Sequence, residues 1–522
     1  MRAANPPNEA SPWLWLGLSM AYCMLMASYF VLRYHGLWID TDSAVLTQAA
    51  QAMGDEGTLI PQRFIYGTGY AYQSVTTFLS AASGISVADL QYRILPVLGM
   101  SLWSSVLFLF FRECTGSAPF AALGTILLYS HPDFLYVSLR GSHEKMTWPL
   151  VALALIFFLS SLRAKDVWQS ALYVVLFYLS ALALMTTNFF FASSFVIAIL
   201  TSLVIGLVAA RWIIRQEQGR QIARQLQRYI YVIASLSVLL VLVLFYIYPP
   251  AQDSLQTMKS LQEKIASLIF GESTRHNPYA IVSFGWVSRW AYLGLTSINY
   301  LLIITSLIGL FVVVRNAIYR PTIVVITLFY LSFSLLFFCA LVADLTGSIG
   351  ANLQLRIMPA YMLFTVAMTL LAFQWLYEQI GVVRRVAAFA MPVLLVFFSI
   401  NALLKSTNEP ALSNYWIFYL PSEQQGLAWS DQHLRGQPIW MDFDAVRLAP
   451  LWRQEFSEST QGNRADTGEP EPITRTFFVS QPVRLWGARL GQALPVPADA
   501  LRIYDNGEAE LYHLRPLTPY QR

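Results

Sequence analysis

The chain has 522 residues, of which 56% are hydrophobic and only 12% are charged, whereas a soluble chain of this length carries roughly 25% charged residues. The charges are unevenly placed, because residues 405–522 hold 25 of the 64 charged residues and the first 404 positions hold the other 39. This balance excludes a soluble enzyme, a disordered regulator and a nucleic-acid-binding protein. It predicts a polytopic α-helical membrane protein followed by a water-soluble domain.

Eleven apolar runs are long enough to cross a membrane as helices. We interpret the first as a retained span and not a signal peptide, because its apolar stretch is too long and no small-residue cleavage motif follows it. The chain is thus predicted to contain a membrane domain over 1–404, with long external loops at 35–88 and 251–289, and a second domain over 405–522. The spans lie at about 13–34, 89–111, 118–137, 146–162, 168–187, 189–210, 229–250, 290–314, 321–344, 356–377 and 386–404.

The positions of Lys and Arg predict the orientation in the membrane. With the N-terminus in the cytoplasm, 13 basic residues fall in about 55 residues of cytoplasmic connections, against 10 in roughly twice that length on the opposite side. The C-terminal domain would then be extracytoplasmic, on a plasma or inner membrane. The long, polar loops also face outward and the sequence contains no P-loop, so we expect an outward-facing site whose energy arrives in the substrate.

The first external loop begins with two carboxylates, Asp40 and Asp42, just after the first span. The segment Ser43–Met53 is predicted to be a short helix that Asp42 or Thr41 caps. Asp40 and Asp42 are candidates for a catalytic base or for metal ligands at the membrane surface. The alternative is structural, with Asp42 as a helix cap and Asp40 as a solvated loop residue.

The second external turn, of eight residues, contains Arg140, His143 and Glu144 between two spans. Such a short turn keeps these groups at the mouth of the helix bundle. Asp133 lies just before the turn, within the outer half of the third span, where a carboxylate is costly unless it is paired or faces a wet cavity. The structural alternative for Asp133 is an ion pair with Arg140.

Two arginines open predicted spans from the external side. Arg356 opens the tenth span, at a depth where a guanidinium can bind a lipid phosphate with two hydrogen bonds. The alternative is an interfacial arginine that extends toward the headgroups. Arg93 opens the second span in a weaker version of the same arrangement.

The fourth external loop has an apolar stripe at helical spacing, which favours an interfacial brace over a moving lid. The C-terminal domain is predicted to be a small α/β domain, with a helix at 422–433, strands at 437–443 and 474–479, a polar loop at 462–472, and a hairpin around Asp505-Asn506-Gly507. Acceptor binding and a structural cap both remain open as its role. The stripe consists of Leu255, Met258, Leu261, Ile265, Leu268 and Ile269.

An acidic motif after the first span, a short Arg/His/Glu turn before the fourth, and an arginine opening a late span together resemble the GT-C glycosyltransferases, which use polyprenyl-phosphate-linked sugars. The stretch 136–144 resembles the second acidic motif of the oligosaccharyltransferase catalytic subunit and its relatives. By this resemblance Asp40 or Asp42 is the catalytic aspartate, Glu144 with His143 belongs to the second acidic motif, and Arg356 binds the lipid phosphate.

The resemblance has limits. The Trp-Trp-Asp-Tyr-Gly motif that reads glycosylation sequons is absent from residues 405–522, so the resemblance does not extend to protein N-glycosylation. His143 stands where that subfamily has an acid, so no cofactor is assigned. A divalent metal such as Mg²⁺ or Mn²⁺, bound by Asp42, His143 and Glu144, is left open.

The predicted function is sugar transfer from a polyprenyl-phosphate donor to a glycan, lipid or protein acceptor at the external face of the bilayer, with inversion and without a nucleic-acid partner. The catalytic residues are Asp40, Asp42 and Glu144, and the substrate-binding residues are Arg356, His143, Arg140, Arg93 and Asp133. A lipid or solute transporter, or flippase, is the alternative, although no internal repeat is found and the span centres are nearly free of charge. A polysaccharide polymerase or ligase is a third, disfavoured because the external face lacks an excess of basic residues.

Overall fold

The structure of the chain is a computed structural model. It describes residues 11–37, 41–213, 217–252, 263, 289–316, 320–345, 353–379, 381–407, 419–434, 437–443, 448, 465–467 and 474–514. The predicted stripe of the fourth external loop therefore lies outside the described residues.

Ten helices of the described part are long and apolar enough to cross a bilayer, and the protein is an integral membrane protein. Near the second predicted span the helix is continuous from Val87 to Thr115 but passes through a π-helical stretch, Leu90–Gly99, that contains Pro96. The long elements are α1 (Pro12–Tyr34), α4 (Val87–Asp89) with α5 (Met100–Thr115), α8 (Glu144–Arg163), α9 (Val167–Thr187), α10 (Phe189–Ile213), α11 (Glu217–Leu242) with a π-turn (Val243–Ile247), α12 (Arg289–Arg315), α13 (Pro321–Leu345), α14 (Leu353–Gln379) and α15 (Gly381–Thr407).

The third predicted span, 118–137, is not one helix. A short apolar helix α6 (Ala118–Tyr129) is followed by α7 (Pro132–Leu139), and His131 between them has extended backbone angles. The sequence explains the break, because a residue before proline is disfavoured in the helical region while proline is well suited to the first turn of a new helix. In the described part of the chain, ten of the eleven predicted spans thus correspond to long helices, and the third corresponds to two short ones.

Two further helices lie in the first loop, which the sequence analysis predicts to be external. Helix α2 (Thr41–Glu56) confirms the helix predicted from Ser43, and α3 (Ala71–Ser83) was not predicted. The two helices pack antiparallel: the Thr77 hydroxyl donates to the Ala50 carbonyl at 2.8 Å, and Ser74 contacts Met53. The loop is therefore a folded helical hairpin.

The centre of the bundle is α14, the most buried of the ten long helices. A side chain at Gly309 of α12 would collide with the Met368 carbonyl of α14, so a glycine is needed for this close helix approach. On another face, Phe364 of α14 stacks on Phe333 and Phe329 of α13, with ring centroids 5.1 and 5.4 Å apart. These contacts fix the position of α14, whose first turn carries Arg356.

The C-terminal part contains a mixed five-stranded sheet in the order β2-β1-β3-β5-β4. Strands β1, β2 and β3 are parallel, and β5 pairs antiparallel with β3 and β4. The predicted helix, strands and hairpin are confirmed, whereas β2 lies where only a loop was predicted and α17 was missed. The elements are α16 (Pro421–His433), β1 (Ile439–Asp442), β2 (Ala465–Thr467), β3 (Thr476–Ser480), α17 (Gln481–Leu490), β4 (Leu501–Asp505) and β5 (Ala509–His513).

Candidate active site

The turn between α7 and α8 contains a nearly buried ion pair. The Arg140 guanidinium binds the Glu144 carboxylate, with Nε 2.7 Å from Oε2, and the two side chains are only 12% and 6% exposed. The Ser142 hydroxyl lies 3.3 Å from the same carboxylate oxygen. Glu144 is also the first residue of α8, where a negative charge favours the helix dipole. The carboxylate of Glu144, the predicted acidic residue of this turn, is thus bound by the guanidinium of Arg140.

The beginning of α2 packs directly on this turn. The Gly141 N–H donates to the Ser43 hydroxyl at 2.8 Å, and the Tyr92 hydroxyl donates to the Ser43 carbonyl at 3.2 Å. A side chain at Gly141 would not fit, because its Cβ would lie 2.9 Å from the Tyr92 ring and 3.1 Å from Ser43 Cβ. The two predicted acidic motifs are therefore brought together, since Asp42 directly precedes Ser43 along the chain.

The structure describes only part of the two acidic residues of the first loop, Asp40 and Asp42. Asp40 lies outside the described residues, and only the backbone of Asp42, in the first turn of α2, is described. The place of Asp42 follows from the backbone, because consecutive Cα atoms are 3.8 Å apart. The role of either carboxylate stays a prediction.

His143 is buried beside a residue that the sequence analysis did not single out. The side-chain amide nitrogen of Asn188 is within hydrogen-bond distance of His143 Nε2, and Asn188 Oδ1 accepts the Phe191 N–H at 2.9 Å. The His143 ring lies between Tyr66 and Phe191, with centroid distances of 6.1 and 6.0 Å. Asn188 lies in the short turn between α9 and α10, and the sequence carries no signal that sets it apart from the neighbouring Thr186 and Thr187.

Arg356 is connected to His143 through two neighbouring aromatic side chains, Phe190 and Phe191. Its guanidinium carbon is 6.0 Å from the centre of the Phe190 ring, and the rings of Phe190 and Phe191 are 5.6 Å apart. Phe191 in turn contacts the His143 ring. The side chain of Arg356 is exposed, so its charge is available to a ligand at this end of the bundle.

Two predicted site residues have partners elsewhere. Asp133 forms an ion pair with Lys405 of α15 at 3.1 Å, so the structural alternative, an ion pair between Asp133 and Arg140, is not the one observed: Arg140 binds Glu144. Arg93 forms an exposed ion pair with Asp89, one helical turn earlier, at 2.7 Å. Substrate binding by Asp133 and Arg93 stays a prediction.

The predicted metal ligands have the following contacts. Arg140 and Ser142 both bind Oε2 of Glu144, and His143 Nε2 faces the Asn188 amide. The side chain of Asp42, the third predicted ligand, lies outside the described part, so a divalent metal at these residues stays a prediction. Within the part of the chain that the structure describes, three or more His, Cys, Asp or Glu side chains do not meet anywhere in a group suited to a metal ion.

The sequence matches no protein-family model and no curated protein. Solved structures with a similar fold include ArnT from Cupriavidus metallidurans bound to undecaprenyl phosphate, at 13% identity and a TM-score of 0.49, covering 97% of this chain and 98% of ArnT. Another is the oligosaccharyltransferase of Archaeoglobus fulgidus in complex with Zn and sulfate, at 12% identity and a TM-score of 0.48, covering 90% of this chain and 67% of that one. The apo state of the same ArnT gives a TM-score of 0.39 at 13% identity.

Proposed function

We propose that the protein is a GT-C-type membrane glycosyltransferase that moves a sugar from a polyprenyl-phosphate donor to an acceptor hydroxyl on the extracytoplasmic side. The observation that carries the proposal is the convergence of three separated segments at one end of the bundle. The beginning of α2 contacts the Arg140–Glu144 turn, and Arg356 lies across the Phe190–Phe191 pair from His143.

The chemistry of these segments suits transfer from a lipid phosphate. A carboxylate at Asp40 or Asp42 orients the acceptor hydroxyl and takes its proton. The hydroxyl oxygen attacks the anomeric carbon as the bond from that carbon to the phosphate oxygen breaks, and the displacement inverts the anomeric centre. The departing polyprenyl phosphate gains negative charge, which the Arg356 guanidinium stabilises.

The Arg140–Glu144 pair has a supporting part in this mechanism. Because Glu144 is already bound by Arg140, it is poorly suited to be the base that receives the acceptor proton. The pair instead stiffens the turn whose Gly141 N–H holds Ser43. This mechanism does not require a metal, because the Arg356 guanidinium supplies the positive charge at the departing phosphate.

The orientation is also part of the proposal. The excess of Lys and Arg in the short connections supports a cytoplasmic N-terminus, which puts the first loop, the Arg140–Glu144 turn and the C-terminal domain outside. A donor carried by a lipid can reach that side of the bilayer, whereas nucleotide-activated sugars remain in the cytoplasm.

The test is sugar transfer by the purified protein in liposomes that contain a radiolabelled polyprenyl-phosphate sugar and an extract of cell-envelope acceptors. Asp40→Asn, Asp42→Asn and the double variant are compared with wild type, and we expect at least one to lose about 10²-fold or more in rate, the usual range for a general base. Normal transfer by all three would contradict the mechanism. Movement of the lipid across the bilayer without any transfer would identify a flippase instead.

A further inference from the structure

The C-terminal domain is joined to the membrane part next to the predicted catalytic segment. The Tyr419 N–H donates to the Leu37 carbonyl at 2.8 Å. Both side chains are buried, with 1% of Tyr419 and 7% of Leu37 exposed. Leu37 stands three positions after the last residue of α1 and three before Asp40.

The hydrophobic core of the C-terminal domain continues through this junction. Three of the buried residues in this core, Leu37, Ala44 and Tyr92, belong to the membrane part. The other buried residues come from the sheet and from the segments around it. Leu37 and Ala44 flank the Asp40–Asp42 segment on its two sides. The other buried members are Tyr419, Leu427, Ile439, Trp440, Met441, Leu448, Phe477, Phe478, Val479, Val483, Ala509 and Leu511.

The beginning of α2, which follows the acidic segment, is held by the membrane part. Ser43 is bound by Gly141 and Tyr92, and the Thr47 hydroxyl donates to the Gln91 side chain at 2.8 Å. The two described flanks of the acidic segment are therefore both fixed, Leu37 by the core of the C-terminal domain and Ser43 by the turn that contains Gly141. Position matters for a catalytic carboxylate, because a displacement of about 1 Å can cost roughly 10²-fold in rate.

We infer that the C-terminal domain is a positioning element of the active site, and that Tyr419 is the positioning residue through which it fixes the Asp40–Asp42 segment. The inference rests on the proposed function and assigns the domain a part in that reaction. The domain thereby sets the distance between the first-loop carboxylates and the Arg140–Glu144 turn, without itself touching the substrate.

The experiment compares Tyr419→Ala with Tyr419→Phe and Tyr504→Ala in the full-length protein. Both Tyr419 variants keep the backbone N–H that binds Leu37, and phenylalanine also keeps the buried ring that alanine removes, so Tyr419→Phe is expected to retain most of the wild-type kcat. Tyr504 packs on Trp429 in the same domain, with ring centroids 5.1 Å apart, and has no described contact with the first loop, so it serves as the matched control. For Tyr419→Ala we expect kcat to fall about 10- to 100-fold, with KM for the donor changed less than about twofold.

Two further measurements separate positioning from unfolding. Undecaprenyl phosphate should still raise the melting temperature of Tyr419→Ala as it does that of wild type, and amide hydrogen exchange should increase at residues 41–47. A normal kcat in Tyr419→Ala, an equal loss in Tyr504→Ala, or a loss confined to KM would overturn the inference.

The outcome is distinguishable from failure of the proposed function. If the wild-type protein transfers no sugar, the proposed function fails. Hydrogen exchange at residues 41–47 still tests whether the contact between Tyr419 and Leu37 holds the beginning of α2 in place. If Tyr419→Ala does not fold, Leu37→Ala tests the same contact from the membrane side, with the same expected fall in kcat and rise in exchange. Unchanged exchange in a folded Leu37→Ala variant would overturn the inference.

Discussion

The carboxylate of Asp344 accepts a hydrogen bond from the backbone N–H of Leu353 at 3.1 Å, and its second oxygen accepts the Gln354 N–H at 2.8 Å. Asp344 is the last residue but one of α13 and is fully buried, and the two N–H groups open α14. Free N–H groups at a helix start need such acceptors, and a carboxylate there also favours the helix dipole. Asp344 therefore fixes the first turn of α14, in which Arg356 lies.

We expect Asp344→Asn to weaken donor binding without abolishing folding. The amide keeps the size of the carboxylate but loses its charge and one acceptor, and a lost helix cap costs about 0.5–2 kcal/mol. The affinity for undecaprenyl phosphate, followed by thermal stabilisation, should fall several-fold. Glu378→Gln, at the exposed far end of α14, is the matched control, and an equal effect of the two substitutions would contradict the role of Asp344.

Substitution of Arg356 tests the phosphate contact directly. On the proposed function, undecaprenyl phosphate is expected to raise the melting temperature of wild type, and Arg356→Ala should abolish that rise. Arg356→Lys should keep part of it, because lysine retains the charge but cannot bind a phosphate with the planar fork of arginine. Arg384 lies over the Tyr377 ring at 5.5 Å much as Arg356 lies over Phe190, so Arg384→Ala controls for loss of a stacked arginine. Full stabilisation of Arg356→Ala would remove Arg356 from the site.

Substitutions in the Arg140–Glu144 pair can distinguish its effect on protein stability from its effect on the rate of sugar transfer. Glu144→Gln removes the carboxylate that Arg140 binds in a nearly buried turn, which should lower the free energy of unfolding by on the order of 3 kcal/mol. Replacement of both residues by methionine should be less destabilising, because no buried charge remains. We expect the double variant to fold yet transfer sugar slowly. Wild-type rates in that variant would show that the pair has no part in the reaction.

The pH dependence of the C-terminal domain should include a contribution from His513. Burial, followed by the nearby Arg475, lowers the pKa of His513 below its usual 6.5. The unfolded chain then binds more protons than the folded one between the folded pKa and 6.5, so stability is lost as the pH falls through that window. The melting temperature should drop less between pH 7.5 and 5.5 in His513→Gln than in wild type, and an identical drop would contradict this assignment.

The long helices and their order could be predicted because apolar runs of spanning length are almost unambiguous. The two motifs that contain Ser43 and Gly141 could be identified in the sequence, but the contact between them could not be predicted. The two residues are 98 positions apart, and a single sequence carries no information about which distant residues meet. The same limit explains why the alternative proposed for Asp133 named the incorrect partner. Its nearest base along the chain was Arg140, whereas its partner Lys405 is 272 positions away and reaches it only through the packing of α15 on α7.

Asn188 was overlooked for a different reason. It is a lone polar residue in a turn between two apolar helices, and composition gives no reason to prefer it over its neighbours Thr186 and Thr187. Its importance comes from the fold, which turns its amide toward His143 and its carbonyl toward the Phe191 N–H. The helix break at His131, by contrast, could have been predicted from the sequence, because Pro132 directly follows it.

The contact between Leu37 and Tyr419 also sets an order of events during synthesis. These residues are 382 positions apart, and at about 5–20 residues per second the ribosome needs roughly 20–80 s to pass from the first to the second. Through that interval the first loop lacks the surface that completes its core. The nascent chain should therefore complete this core, and with it the proposed site, only after the C-terminal domain has been synthesised and folded.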